Sequence, residues 1–387
     1  MNAQASDIET TRRTLRAEMP ISDKWAYFDH AAVAPLTAPA SAALQQWQQE
    51  ATEDGTTAWP DWAVRREATR TSAAYLIGAD VDEIALLPST TAGINLVAEG
   101  IDWQVGDNVV TLDDEFPSNL YPWLHLERLG VETRRVPTAE GRVDVEQLAR
   151  ACDARTRVVS ISWVGYANGC RRHLPAVADI AHQHDALFLL DAIQGLGAFP
   201  LDVVAAKVDC LAADGHKWML GPEGAGIAYV RREWLARLQP IGVGWNSVVG
   251  AADFSHIELK FRPTAQRYEG GTHNMAGFLA LGASLDLLAS LGIENIAAAV
   301  LDITGLAEEK LTAIGANIHS PRDKPSECSG ILCFELPGKD PALVRKHCLR
   351  EGVVLACRAG RLRLSAHAYN DVEDLERMID ALRSFKG

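Results

Sequence analysis

Three short polar clusters in this chain each follow an apolar run. FLLDAIQ carries Asp191 and Gln194, VDCLAADGHK carries Asp214, His216 and Lys217, and IALLPSTTAGIN carries Ser89, Thr90, Thr91 and Ala92. A lysine at a strand end is ordinarily a solvated charge, but this one stands beside a histidine and ahead of a glycine-rich stretch, GPEGAG. Brought together, these residue types could do chemistry. A lysine amine can bond a carbonyl carbon and later move protons. A Ser/Thr run at a helix start offers free N–H groups and the positive end of the helix dipole to a phosphate dianion. A buried Asp191 is costly unless something cationic faces it.

The elements around the clusters must place all three at one edge of a sheet, because ligands of open α/β sheets bind outside the carboxyl ends of the strands. LPAVADIAHQH reads as a helix with Pro175 in its first turn and Ala176, Val177, Ile180 and Ala181 at helical spacing. The continuous apolar run ALFLLDA reads as a strand covered on both faces. VDVEQLARACD and RVVSISWV repeat that helix–strand order, and DEIALLP then TTAGINLVAEGI read as strand and helix. The alternation predicts an α/β domain with a mostly parallel central sheet. From about residue 285 the texture shifts to a smaller α+β region, with SGILCFEL and GVVLACR as strands and DPALVRKHCLREG and NDVEDLERMIDALRSF as helices. The expected division is an N-terminal segment 1–26, a large domain 27–284 and a small domain 285–387.

Composition narrows the classes. Of 387 residues 48% are hydrophobic, enough for a sizeable core, and 37 basic against 51 acidic residues give −14, which argues against a nucleic-acid surface. Seven irregularly spaced cysteines read as reduced thiols. MNAQASDIETTRRTLRAEMP lacks an apolar core, and DALFLLDAIQGLGAF is too short to span a bilayer, so the expected location is the cytoplasm. GPEGAG leads into the strand IAYV rather than a helix, which excludes a nucleotide loop. His182 and His184 do not share a helix face, so no metal site is expected.

One cofactor calls on all three clusters. Pyridoxal phosphate needs a lysine for its Schiff base, an acid at its pyridinium nitrogen and an anion site for its phosphate. Lys217, Asp191 and the Ser89–Thr91 segment supply these.

GHKWMLGPEGAGIAYV, LLDAIQGLGAFPLDV, STTAGIN and RYEGGTHNMAGFLALGASLD, in that family's arrangement, resemble the class V aminotransferases, the group that contains the cysteine desulfurases. The resemblance extends from YFDHAAVAPL to RLRLSAHAYN and implies a pyridoxal-phosphate-dependent transferase of fold type I. It further implies that Lys217 forms the Schiff base, Asp191 pairs with the pyridinium and Gln194 donates to the phenolic oxygen. Thr90, Thr91 and His216 would hold the phosphate, with Ala92, Phe116 and Asp214 also at the cofactor. Thr272 would reach the phosphate of a neighbouring subunit, which makes the chain a homodimer. Arg363 would bind the substrate carboxylate, with Arg361 and Arg358 as further candidates.

The chain departs from desulfurases in three places. Phe116 stands where they carry a histidine over the ring, and it can stack there but not shuttle a proton. ACRAGRLRLS leaves no room for their cysteine loop before the arginine; Cys357 precedes the glycine instead of following it. Asp214 replaces a hydroxyl residue, although a carboxylate ~4 Å from a phosphate charge is repelled by about 4 kcal/mol per unit charge at an effective dielectric of about 20. Asp214 is therefore expected to point away and to fix His216 in its protonated form. The favoured reaction is C–S bond cleavage on a sulfur amino acid. Transamination, epimerisation of the isopenicillin-epimerase kind and a non-catalytic cofactor-binding scaffold are the alternatives. HAAVAPL, VGYANG and GVGWNSV, with Tyr166, Trp218 and Trp245, are the segments expected to carry specificity.

Overall fold

The computed structural model describes residues 2–386. Its centre is a seven-stranded sheet of Ile84–Leu87 (β1), Asn108–Leu112 (β2), Glu132–Val136 (β3), Thr156–Ser162 (β4), Leu187–Asp191 (β5), Cys210–Asp214 (β6) and Gly226–Val230 (β7). The spatial order is β1-β7-β6-β5-β4-β2-β3. Only β7 runs against its neighbours, β6 and β1; the remaining pairs are parallel. Each residue of β1, β2, β5, β6 and β7 is buried, which accounts for their unbroken apolar sequences.

Helices cover both faces. Asn2–Ala17 (α1), Ala38–Glu53 (α2), Trp59–Ile77 (α3), Thr90–Gly100 (α4), Val145–Ala151 (α5) and Leu174–Gln183 (α6) precede the long pair Met275–Leu291 (α7) and Ile293–Ala313 (α8). α7 runs through residue 284, and the chain bends by 83° between α7 and α8. Among the described residues no single helix is long and apolar enough to cross a membrane.

The smaller layer is an antiparallel sheet of Asn317–Ile318 (β8), Ile331–Glu335 (β9), Ala356–Arg358 (β10) and Arg361–Ser365 (β11), in the order β8-β9-β11-β10. It packs with Pro341–Arg350 (α9) and Val372–Ser384 (α10). The N-terminal segment is tied to this layer. Arg12 pairs with Asp302 and Arg16 with Asp374, and Ala26–Tyr27 adds a parallel pairing to Val353–Val354.

α4 lies unusually close to the sheet. A Cβ on Gly93 would stand 2.6 Å from the Cβ of Ala212 in β6, so only glycine lets the helix settle there. That seating brings the start of α4 beside the end of β6, where the Thr90 hydroxyl accepts a hydrogen bond from the Asp214 N–H at 2.9 Å.

Candidate active site

The carboxyl ends of β1, β5 and β6 open into a cavity of about 400 Å³. Its walls include Ser89, Thr90, Thr91, Phe116, Asp191, Gln194, Asp214, His216, Lys217 and Arg363, so all three polar clusters converge. Asp191 ends β5 and is 3% exposed; Lys217 follows β6 and is 8% exposed. Burial pushes the Asp191 carboxyl up to about 7, and the neighbouring Glu115 charge adds to the effect. Burial likewise lowers the Lys217 amine to about 8, although Asp191 draws it back up. Each group thus faces a shortage of compensating charge.

Gln194 has a fixed amide. Its oxygen accepts from the Trp218 indole at 2.9 Å and its nitrogen donates one hydrogen to the Ala31 carbonyl at 3.0 Å. An amide nitrogen carries two hydrogens, so one more donor is available at this cavity-lining position. The Ser89 hydroxyl caps α4 by accepting from Ala92 N–H at 3.1 Å. That engages the Ala92 amide, and Ala92 is not among the lining residues, while the first-turn N–H groups of Thr90 and Thr91 have no partner within the helix. The Thr91 hydroxyl donates to Ser118 at 3.0 Å.

Asp214 is among the residues that line the cavity, and its Oδ2 stands 3.2 Å from His216 Nδ1 but out of line for a hydrogen bond. Asp214 Oδ1, His216 Nδ1 and Arg363 Nε are buried without partners. With Lys217, the Thr90–Thr91 amides and a carboxyl short of a cation, this donor and acceptor set fits a pyridine phosphate aldehyde.

Arg363 is 1% exposed, and its guanidinium donates to the Tyr166 carbonyl at 2.7 Å and to Asp29 at 3.2 Å. Arg361 is exposed at the start of β11 and does not line the cavity, whereas Arg358 does. Strand alternation explains Cys357. It lies opposite Leu362, which is buried in the core of the small layer, while Arg363 lies opposite Ala356 on the other face. β10 and β11 are joined by Ala359 and Gly360 alone, both at positive φ, a two-residue hairpin with no cysteine loop.

Phe116 is 40% exposed, meets Tyr166 edge-on at 5.2 Å, and has the Lys217 Nζ 5.6 Å from its ring centre. Thr272 is exposed and lines a separate cavity with Pro88 and Asn274. Of the specificity segments, HAAVAPL contributes Ala31, Ala32 and Val33, and VGYANG contributes Tyr166. Trp218 is fully buried, and Trp245 lines another groove with Phe254.

Sequence reasoning missed the support behind Asp191. Glu115 is buried 3.0 Å from Arg172, receives the Ser162 N–H at 2.8 Å and is hydrogen-bonded by the Ser162 hydroxyl. Trp163 N–H donates to the Asp191 carbonyl at 2.8 Å. An acidic residue directly before Phe116 was the available signal.

The Aminotransferase class-V family model matches residues 26–378. A probable cysteine desulfurase of Methanothermobacter thermautotrophicus is 31% identical over 96% of this chain and 98% of its own. Two solved structures share the fold at 22% identity. One is a mutant of C-DES with glycine covalently linked to its PLP cofactor (TM-score 0.90, 96% of this chain and 99% of that one). The other is the cystine C–S lyase C-DES with its reaction product cysteine persulfide (TM-score 0.87, 94% and 98%). With its cavity equipped as described, the chain belongs to the class V aminotransferase family of pyridoxal-phosphate-dependent enzymes.

Proposed function

We propose that the protein is a C–S lyase that cleaves the β-carbon–sulfur bond of a sulfur-containing L-amino acid and releases the sulfur on a small molecule. The observation that carries this reading is the β10–β11 hairpin. Cys357 faces away from Arg363, and among the described residues no cysteine lines the cavity, so these residues offer no thiol to take up sulfur there. The cystine C–S lyase it resembles in fold has cysteine persulfide as its product, and the probable desulfurase relative supports sulfur amino acids as the substrate class.

Pyridoxal phosphate, when bound, draws electrons from the substrate α-carbon so that a bond to it can break. Asp191 would face the ring nitrogen, and the amides of Thr90 and Thr91 the phosphate. Arg363 would hold the substrate carboxylate, since two of its five donors are engaged and Nε is free. Lys217, whose amine is lowered to about 8, would take the α-proton as a base near neutrality. The β-sulfur then leaves with the electrons of the C–S bond, and hydrolysis of the resulting enamine gives a 2-oxo acid and ammonia. Phe116 supplies an apolar wall and moves no proton.

The same reading makes the enzyme a homodimer in which Thr272 serves the neighbouring site. It also keeps the enzyme in the cytoplasm, where seven free thiols are at home.

Holoenzyme incubated with L-cystine should accumulate pyruvate, ammonia and persulfide in equal amounts, and Cys357→Ser should retain the native rate. Conversion of the cofactor to its amine form without sulfur release would identify an aminotransferase instead. A persulfide trapped on Cys357 by an alkylating reagent would restore the desulfurase route.

A further inference from the structure

A cavity larger than the cofactor cavity lies elsewhere. At about 500 Å³ it shares no lining residue with the cofactor cavity and lies between the large layer and the loop carrying Ser326 and Glu327. Its size is that of a small-ligand site. Trp163, Leu174, Val177 and Leu201 give it an apolar wall.

Three arginines line it, and two are neutralised internally. Arg142 pairs with Glu140, Asp323 and Glu327, and Arg172 with Asp114 and Glu115. Arg171 has no carboxylate partner among the described residues. It donates to the carbonyls of Ser326 at 3.1 Å and Pro325 at 3.3 Å and sits 4.5 Å from the Phe199 ring centre. Burial holds its pKa below the ordinary value with no nearby carboxylate to restore it. The acids that line the cavity are already engaged: Asp202 accepts from Val204 and Ala205 N–H at 2.9 Å, and Glu327 holds Arg142 and Lys324. A half-buried cation without a counter-ion is costly, and a ligand carboxylate would match its planar fork.

We infer that this cavity is a second ligand site, taking a small carboxylate with an apolar body. The carboxylate sits on Arg171, the body lies against Trp163 and Leu201, and the ligand bridges the two layers. The site stands apart from the proposed reaction, although Trp163 reaches the Asp191 carbonyl through one hydrogen bond.

The test is calorimetric titration of 3-phenylpropionate into the holoenzyme, with cofactor absorbance checking that each variant is intact. One site per chain is expected, at least ~10-fold weaker in Arg171→Gln, as fits a lost charge-assisted hydrogen bond. Ala205→Trp, a bulky side chain placed at an exposed position of the lining, should abolish binding. Holoenzyme reacted with aminooxyacetate and freed of excess reagent by gel filtration should bind the probe unchanged. Loss of binding in that form would place the probe on Arg363 and overturn the inference. Native affinity in both variants, or no heat at millimolar probe, would overturn it as well.

Discussion

Asp191 and Lys217 oppose folding where they serve function. An aspartate in an unfolded chain titrates near about 4, whereas in the folded apoprotein Asp191 is pushed up to about 7. Between those values the folded state holds a proton the unfolded state has lost. The associated stability is full below about pH 4 and is lost as pH rises to about 7. Asp191→Asn removes that loss. The gain in melting temperature of the variant apoprotein over the native apoprotein should therefore grow from about pH 4 to about pH 7 and then hold constant. A difference independent of pH would refute the burial argument. The same substitution should slow turnover, because no carboxylate would then sustain a protonated ring nitrogen. Lys217→Ala should lower kcat by at least about 10²–10⁴-fold, the range of a lost general base; near-native turnover would remove Lys217 from the mechanism. These two residues were legible in the sequence because their side chains are chemically distinctive and each ends an apolar run. Ala31, Ala32 and Val33 were legible only as part of the segment HAAVAPL: methyl groups carry no chemical signature, and only the fold shows that they line the cavity with Lys217.

At the scale of elements, sequence period tracks burial. The strands covered on both faces were readable as apolar runs, and α6 showed a clean helical stripe because one of its faces is exposed. The edge strand β3 is ETRRV, half in solvent, and offers no such run. α7 fails for the opposite reason. Phe278 through Gly282 are all buried, so no polar face marks a period of 3.6. α4 joins both lessons, since its apolar residues were readable but the closeness of its packing was not. Alanine in place of a mid-helix glycine normally favours a helix by about 1 kcal/mol. At Gly93 the new Cβ would meet Ala212 at 2.6 Å, a contact with no flexible side chain to yield. Overpacking costs about 1–3 kcal/mol and should win. Gly93→Ala is thus expected to lower stability in urea unfolding and to weaken cofactor binding, by moving the Thr90–Thr91 amides off β6. Ser89→Ala, which removes the cap to Ala92, should cost about 1 kcal/mol without that steric effect. Greater stability for Gly93→Ala would show that α4 can slide on the sheet.

For the whole molecule, the open question is whether one chain makes a complete site. Thr272 is exposed and lines a cavity other than the one holding Lys217, so in its own subunit it stands apart from the phosphate position. Nearby in sequence, Phe254, Ile257 and Leu259 are 72%, 89% and 71% exposed, an apolar surface of the kind that marks an interface. A two-fold dimer that covers this face and lends Thr272 to the partner accounts for both features. Subunit complementation tests it without a structure of the assembly. Lys217→Ala damages the site of the subunit that carries it, and Thr272→Val should damage the site across the interface. In a mixed dimer both lesions then fall on one site and the other is intact. Co-expression of the two defective chains should restore about one quarter of native activity, since random pairing makes half the dimers mixed and each mixed dimer keeps one of two sites. If Thr272 acted within its own chain, every site in the mixture would carry a lesion and no activity would return.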